Sequence, residues 1–118
     1  MPKSNGLVSV TRKDGGHNIT VSANYNRSGQ SVTVTAGRWG YSSYHHEVSF
    51  QLQRFRNYGG GWTNIDYGYL GLHAGSNKDV HAYIGNVARN GTQLRLRYQI
   101  NRIAPAGYIA SGYLNLNF

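Results

Sequence analysis

Cysteine is absent from this chain of 118 residues. That excludes disulfides, thiolate zinc sites and a cysteine nucleophile. It also argues against a small animal secreted domain, which disulfides usually staple. Proline occurs twice, at Pro2 and Pro105. Both lie outside strand-like stretches, so neither interrupts a sheet ladder. Acidic side chains are scarce: Asp14, Glu47, Asp66 and Asp79 are the four. A glycosidase needs two carboxyls flanking one bond, and the spacing here presents no such pair. There is no nucleophile-elbow motif. The run Gly59-Gly60-Gly61 lacks the Lys-Ser or Lys-Thr and the helix of a phosphate loop. No enzyme activity and no cofactor are therefore expected. No apolar run approaches the length of a membrane-spanning helix. Residues 1–18 hold no apolar segment of the signal-peptide kind, so the sequence reads as a mature domain.

Helical spacing is missing too. In its place, apolar residues recur at every second position: Ile19, Val21, Ala23, Tyr25; Val48, Phe50, Leu52; Leu94, Leu96, Tyr98, Ile100; and Tyr108, Ala110, Gly112, Leu114, Leu116, Phe118. Successive side chains of a strand point to opposite faces, so period two means a sheet with one buried face. Strands are predicted at Leu7–Thr11, Asn18–Tyr25, Ser31–Ala36, Glu47–Phe55, Trp62–Tyr67, Asp79–Ile84, Thr92–Asn101 and Gly107–Asn117, with a short further one at Tyr69–His73. Turn signals separate them at Asp14-Gly15-Gly16, Arg27-Ser28-Gly29, Gly59-Gly60-Gly61, Ala74-Gly75-Ser76-Asn77 and Arg89-Asn90-Gly91. Seven to nine short strands in one domain over residues 1–118 predict an all-β, antiparallel two-sheet sandwich. A closing outer-membrane barrel strand is not expected, because alternate positions such as Asn18, Thr20, Ser22 and Asn24 are polar.

Two hairpins take a register from these patterns. Pairing Leu52 with Ile65 also pairs Phe50 with Tyr67 and Val48 with Tyr69 on one face. It sets Phe55 opposite Trp62 on the other face, and Gln51 rather than Glu47 against Asp66. In the second hairpin Leu94 faces Leu114, Leu96 faces Gly112 and Ile100 faces Tyr108. The opposite face then carries Arg95, Arg97, Ile109 and Tyr113, with Tyr113 across from Arg95. The alternating strand, the loop ending in Gly60-Gly61-Trp62 and the strand that follows resemble the central hairpin of small immunoglobulin- or fibronectin-like domains of secreted Gram-positive proteins. The stretch Gly91-Thr92-Gln93-Leu94-Arg95-Leu96-Arg97-Tyr98, with Gly107-Tyr108-Ile109-Ala110-Ser111-Gly112, resembles their last two strands. The likeness covers about half the chain and implies an immunoglobulin-like fold, but no active site. A shorter stretch, Gly37-Arg38-Trp39-Gly40-Tyr41-Ser42-Ser43-Tyr44-His45-His46, resembles the opening of lactococcin-type bacteriocins, small secreted β-sandwiches that attack cell envelopes.

Twelve basic residues, nine of them arginine, give a net charge of +8. A charge of this size attracts polyanions, and arginine suits planar, bidentate or stacked contacts. The ten tyrosines, the glycines and the small polar residues make an adaptable hydrogen-bonding surface with rigid aromatic anchors. The candidate binding residues are the rings Phe55, Tyr58 and Trp62, expected to cluster at one hairpin end, with Trp39, Tyr41 and Tyr44 on the preceding loop. Arg54, Arg56, Arg95 and Arg97 join them, with Tyr113 placed for a cation–π contact to Arg95. Rings of this size serve equally to cover a core edge. His45-His46-Glu47 puts only His45 and Glu47 on one strand face, with His46 pointing away, and two ligands fall short of a metal site. The expectation is a non-catalytic extracellular or cell-surface module that binds polysaccharide or an anionic envelope polymer. The alternatives are an antibacterial, envelope-active protein, a nucleic-acid-binding basic β-domain, and an assembly subunit whose strand edges pair.

Overall fold

The computed structural model describes residues 5–14, 17–26, 30–39, 44–55, 60–73, 78–87, 93–103 and 106–116; for Asn5 and Trp39 the description stops at the backbone. Eight strands follow one another: β1 (Asn5–Asp14), β2 (His17–Asn26), β3 (Ser31–Trp39), β4 (His46–Phe55), β5 (Trp62–Leu72), β6 (Val80–Ile84), β7 (Leu94–Ile103) and β8 (Ala106–Asn115). They form two four-stranded antiparallel sheets in the orders β1-β2-β3-β6 and β5-β4-β7-β8. The chain is thus an all-β, two-sheet sandwich. No helix long and apolar enough to cross a membrane occurs among the described residues.

The alternation explains the two layers. Ile19, Val21, Ala23 and Tyr25 of β2 and Val32, Val34 and Ala36 of β3 are sealed inside. They face Val48, Phe50 and Leu52 of β4 and Leu94, Leu96, Tyr98 and Ile100 of β7. Each such side chain contributes about 1.5–3 kcal/mol by leaving water. The two central pairs therefore carry most of the core. Along the margins β1 meets β8 and β5 meets β6. Two core rings lie on glycines of neighbouring strands. A Cβ on Gly68 would sit 2.7 Å from the tip of Phe50, and one on Gly112 would sit 2.8 Å from the Tyr98 hydroxyl. Gly60 and Gly61, leading into β5, have φ of 68° and 88°, a conformation side chains other than glycine rarely adopt.

The first hairpin keeps the expected register only at its loop end, where Phe55 pairs with Trp62. A bulge between Leu52 and Gln53 then shifts the ladder by one residue. Beyond it Leu52 pairs with Asp66, Phe50 with Gly68 and Val48 with Leu70. The expected pairs Leu52–Ile65, Phe50–Tyr67 and Val48–Tyr69 do not form, and Gln51 faces Tyr67 rather than Asp66. A one-residue slip exchanges the faces. Leu70 and Leu72 enter the core, and Tyr67 and Tyr69 turn to solvent. The segment Tyr69–His73 is not a separate strand, because β5 runs unbroken to Leu72. In the second hairpin the ladder sits two residues from expectation: Leu96 pairs with Leu114, Tyr98 with Gly112 and Ile100 with Ala110. A shift of two preserves the faces. A further bulge between Ile100 and Asn101 then pairs Tyr108 with Asn101. Ile109 consequently packs against the core, not on the outer face, and Tyr108 is exposed.

Candidate binding face

The outer face of the β5-β4-β7-β8 sheet is laid out in cross-strand rows. One row reads Tyr67, Gln51, Arg97, Tyr113; the next reads Tyr69, Ser49, Gln99, Ser111. Neighbouring strands lie about 4.8 Å apart, so each row spans roughly 14 Å. Tyrosines stand at both outer positions of the first row and at the β5 position of the second, with Gln51, Ser49 and Gln99 in the middle. Tyr67 and Tyr69 are 72% and 66% exposed, and Tyr113 is 50% exposed. Between them lies an open depression of about 220 Å³, lined by Ser49, Gln51, Gln99, Tyr67, Tyr69 and Arg97 together with the edges of Phe50, Gly68 and Tyr98.

Toward the hairpin end of the same sheet face stands a wall of stacked groups. The Phe55 and Trp62 rings touch edge to face, 5.4 Å between centres. The Arg95 guanidinium lies between Trp62 and Tyr113, 4.0 Å from each ring centre. Arg95 Nε also donates to Gln53 Oε1 at 2.7 Å, and Gln53 Nε2 donates to Asn64 Oδ1 at 2.8 Å. Arg95 therefore has its flat faces against two rings and its Nε committed to an amide. Arg97, two residues on, is exposed. It has no hydrogen-bond or ion-pair partner among the described residues. Two arginines on one strand face thus do different jobs, a distinction that alternation alone does not reveal.

The expected aromatic cluster divides. Phe55 and Trp62 stand at one end of β4, both half-buried on the outer face. Tyr44 precedes the other end of β4, roughly 30 Å away at about 3.3 Å per residue. There its ring packs edge to face on His46, with the Arg102 guanidinium 5.0 Å from its centre. The backbone of Trp39 closes β3 opposite Asn18, next to Arg38, which contacts His46. It belongs to the Tyr44 end, so the rings of the preceding loop and those of the hairpin end stand at opposite ends of β4. Arg54 pairs with the buried Leu94 on the face opposite Arg95 and Arg97, and so does not join them. Tyr113 stands across from Arg97 rather than Arg95 in register, although its ring meets Arg95 diagonally. Tyr41, Arg56 and Tyr58 lie outside the described residues. Tyr67, Tyr69, Gln51 and Gln99 are lining residues that the sequence reading missed. The signal for them was the alternation of Leu70 and Leu72, which sits one residue out of phase with Ile65.

The other end holds a buried polar junction. His46, fully enclosed, bonds Asp14 through Nε2 at 2.7 Å and Arg38 through Nδ1 at 3.0 Å. Arg38 also donates to the carbonyls of Tyr44 (2.7 Å), Leu72 (3.3 Å) and His73. Arg102 donates to Asp14 at 3.4 Å. An arginine offers only donors, so His46 Nδ1 must accept and Nε2 must carry the proton. Both ring nitrogens are thereby used. The imidazole has no free edge for acid–base work, and the junction ties β1, β3, β4, β5 and β7 together. Burial lowers the His46 pKa; the Asp14 bond and charge oppose this, while the Arg38 and His17 charges add to it. The His45 and His73 rings meet edge to face at 4.7 Å, but no group of three metal-ligating side chains converges among the described residues.

The opposite outer face, on the β1-β2-β3-β6 sheet, is hydroxyl-rich. A depression of about 200 Å³ there is lined by Thr20, Ser22, Thr35, Gly37, Arg38 and Asp79. Its polar groups partly satisfy one another, as in Thr35 Oγ1 to His81 Nδ1 at 2.9 Å and Thr11 to Thr20 at 3.0 Å. Among the described residues its lining includes no ring, although Tyr83, 70% exposed, stands opposite Thr33 on the same sheet face. Compared with models of known protein families, with curated proteins and with solved structures, the chain matches none.

Proposed function

We propose that this chain is a non-catalytic module that binds a polysaccharide or anionic envelope polymer outside the cell. The ligand lies along the outer face of the β5-β4-β7-β8 sheet. The observation that carries this reading is the depression floored by Ser49, Gln51 and Gln99 and flanked by Tyr67 and Tyr69. Flat phenol rings suit the apolar C–H faces of sugars. Primary amides and a hydroxyl, each both donor and acceptor, suit a ligand whose hydroxyls are the same. The depression is open, as an extended chain requires. A rigid wall held by Arg95 adds shape at small entropic cost, since its rings are already fixed.

The strand connectivity supports relating the fold to immunoglobulin- and fibronectin-like domains. β3, β4, β5, β6, β7 and β8 take the places of strands B, C, C′, E, F and G, with E beside B and F between C and G. This relation concerns architecture and transfers no ligand.

A nucleic-acid ligand is less well supported. Affinity for a phosphate backbone needs many cations along one track. Among the described residues of this sheet face the cations are Arg95, stacked between two rings, and Arg97, too few for such a track. Assembly by strand pairing is also less well supported, because bulges sit at both free edges of this sheet, and bulged edges resist addition of a further strand.

The reading is tested by affinity electrophoresis of the protein through gels containing plant and bacterial polysaccharides. Retardation by at least one polymer is expected. Tyr67→Ala and Tyr69→Ala should abolish it while leaving the thermal midpoint almost unchanged. No retardation by any polymer, or equal retardation of both variants, overturns the reading.

A further inference from the structure

Resting on that reading, we infer that the polymer carries carboxylates, as a uronic-acid polysaccharide does, and that Arg97 is the residue that selects them. Arg97 is the one ionised side chain among those lining the depression; the others are hydroxyls, amides, rings and a glycine. A ligand seated there meets a single cation and no anion. The guanidinium is planar and stays charged, and its paired N–H groups match the two oxygens of a carboxylate.

The surroundings leave Arg97 available. Arg95 is clamped by Trp62, Tyr113 and Gln53; Arg102 is engaged with Asp14 and Tyr44; Arg38 is buried in the junction. Among these arginines Arg97 alone is exposed with its donors uncommitted. In its row it stands one strand from Tyr113 and two strands from Tyr67, with Gln51 between Arg97 and Tyr67. A sugar ring lying on Tyr67 or Tyr69 therefore directs a ring substituent across Gln51 or Ser49 toward the guanidinium. The lining of the depression offers one cation at one row, with Arg95 stacked one row away and Glu47 one row beyond Ser49, so it suits a charge on a sugar rather than a continuous line of phosphates. The net charge of +8 adds long-range attraction for any polyanion, and the test must separate that field from a seat at Arg97.

Calorimetric titration with polygalacturonate and with its fully methyl-esterified form makes the separation. The unmodified protein is expected to bind the acid form about tenfold or more tightly than the ester, the scale of one charge-assisted contact. Arg97→Gln should lose that preference and retain residual binding to the ester. Arg97→Lys should recover only part of it. Arg12→Gln, which removes one exposed charge on β1, should keep the preference. Equal binding of acid and ester overturns this inference while the glycan reading stands. Binding of neither polymer, nor of any polymer in the gel series, overturns both. Equal loss in Arg12→Gln and Arg97→Gln overturns the inference in favour of a diffuse field. So does tighter binding of dextran sulfate or of single-stranded DNA than of polygalacturonate at physiological salt.

Discussion

The central carbon of the Arg95 guanidinium lies 4.0 Å from the ring centre of Trp62, and the same group stacks at 4.0 Å on Tyr113. One side chain therefore links β5, β7 and β8 across the outer face, with Gln53 of β4 fixing its Nε. Arg95→Ala should release Trp62 to solvent. In a Trp39→Phe background the emission of Trp62 should shift to the red, and urea unfolding should show a loss of about 1–2 kcal/mol. Arg95→Lys should recover part of the stability but not the emission, because an ammonium lacks the flat faces that two rings grip. Unchanged emission in Arg95→Ala would show that the stack is not what orders Trp62.

Gly68 is needed because Phe50 rests on it. Gly68→Ala places a methyl group 2.7 Å from the Phe50 ring tip. The expected cost is about 1–3 kcal/mol, the range for overpacking a filled core. The double variant Gly68→Ala/Phe50→Leu should regain part of that loss, since a shorter side chain vacates the space. Additive losses in the double variant would argue that backbone conformation, not the ring, selects glycine. Urea unfolding of the three variants decides between them.

Acid should loosen the buried junction. The folded-state pKa of His46 lies below its ordinary 6.5, chiefly through burial. The unfolded chain therefore takes up the proton first as pH falls. The stabilisation is complete above about pH 6.5 and is lost as pH drops toward the lower folded value. Protonation puts a hydrogen on Nδ1, facing the Arg38 donor; His17 adds like charge, and only Asp14, which Arg102 also engages, opposes it. His46→Gln supplies one donor and one acceptor and does not titrate. Stability against urea from pH 8 to 5 should fall in the native protein and flatten in His46→Gln. Parallel curves would place the acid sensitivity elsewhere.

A ligand held by the folded face alone must stabilise the fold. Polygalacturonate at about a hundred times its dissociation constant should add ~2.7 kcal/mol. The shift should vanish in Tyr67→Ala/Tyr69→Ala. A shift that persists there, measured by thermal melting, would put the ligand on another surface.

The layers of this sandwich are legible in the sequence because three runs, Ile19 to Tyr25, Val48 to Leu52 and Leu94 to Ile100, keep phase over their whole length. Ile19 to Tyr25 and Leu94 to Ile100 are buried at every second residue, as their spacing requires. The margins are not legible, because a bulge resets the phase and composition does not announce it. Ile65, Tyr67 and Tyr69 read as one apolar face, yet Leu70 and Leu72 are the residues that enter the core. The candidate face inherits this difficulty: alternation alone pairs Tyr67 and Tyr69 with Phe50 and Val48, whereas the ladder turns both outward. The Arg95–Tyr113 contact was readable, since side chains near each other on paired strands meet even when the register slips by two. The His46 junction was not, since Asp14 and Arg38 come from one sheet and His46 from the other, and they converge only once both sheets have packed.

Each free margin of the tyrosine-bearing sheet contains one supernumerary residue, Ile65 in β5 and Ile109 in β8. Trp62 and Tyr67 are five positions apart, and Tyr108 and Ser111 are three apart. In an uninterrupted strand an odd interval sends its two ends to opposite sides. Here both pairs share a side, and the Tyr108 hydroxyl reaches Ser111 at 2.7 Å. Transplanting the ring pattern onto a regular sandwich by substitution alone would thus leave Trp62 and Tyr108 looking inward. The two isoleucines must travel with the graft, because its specificity is encoded as much in strand length as in side-chain identity.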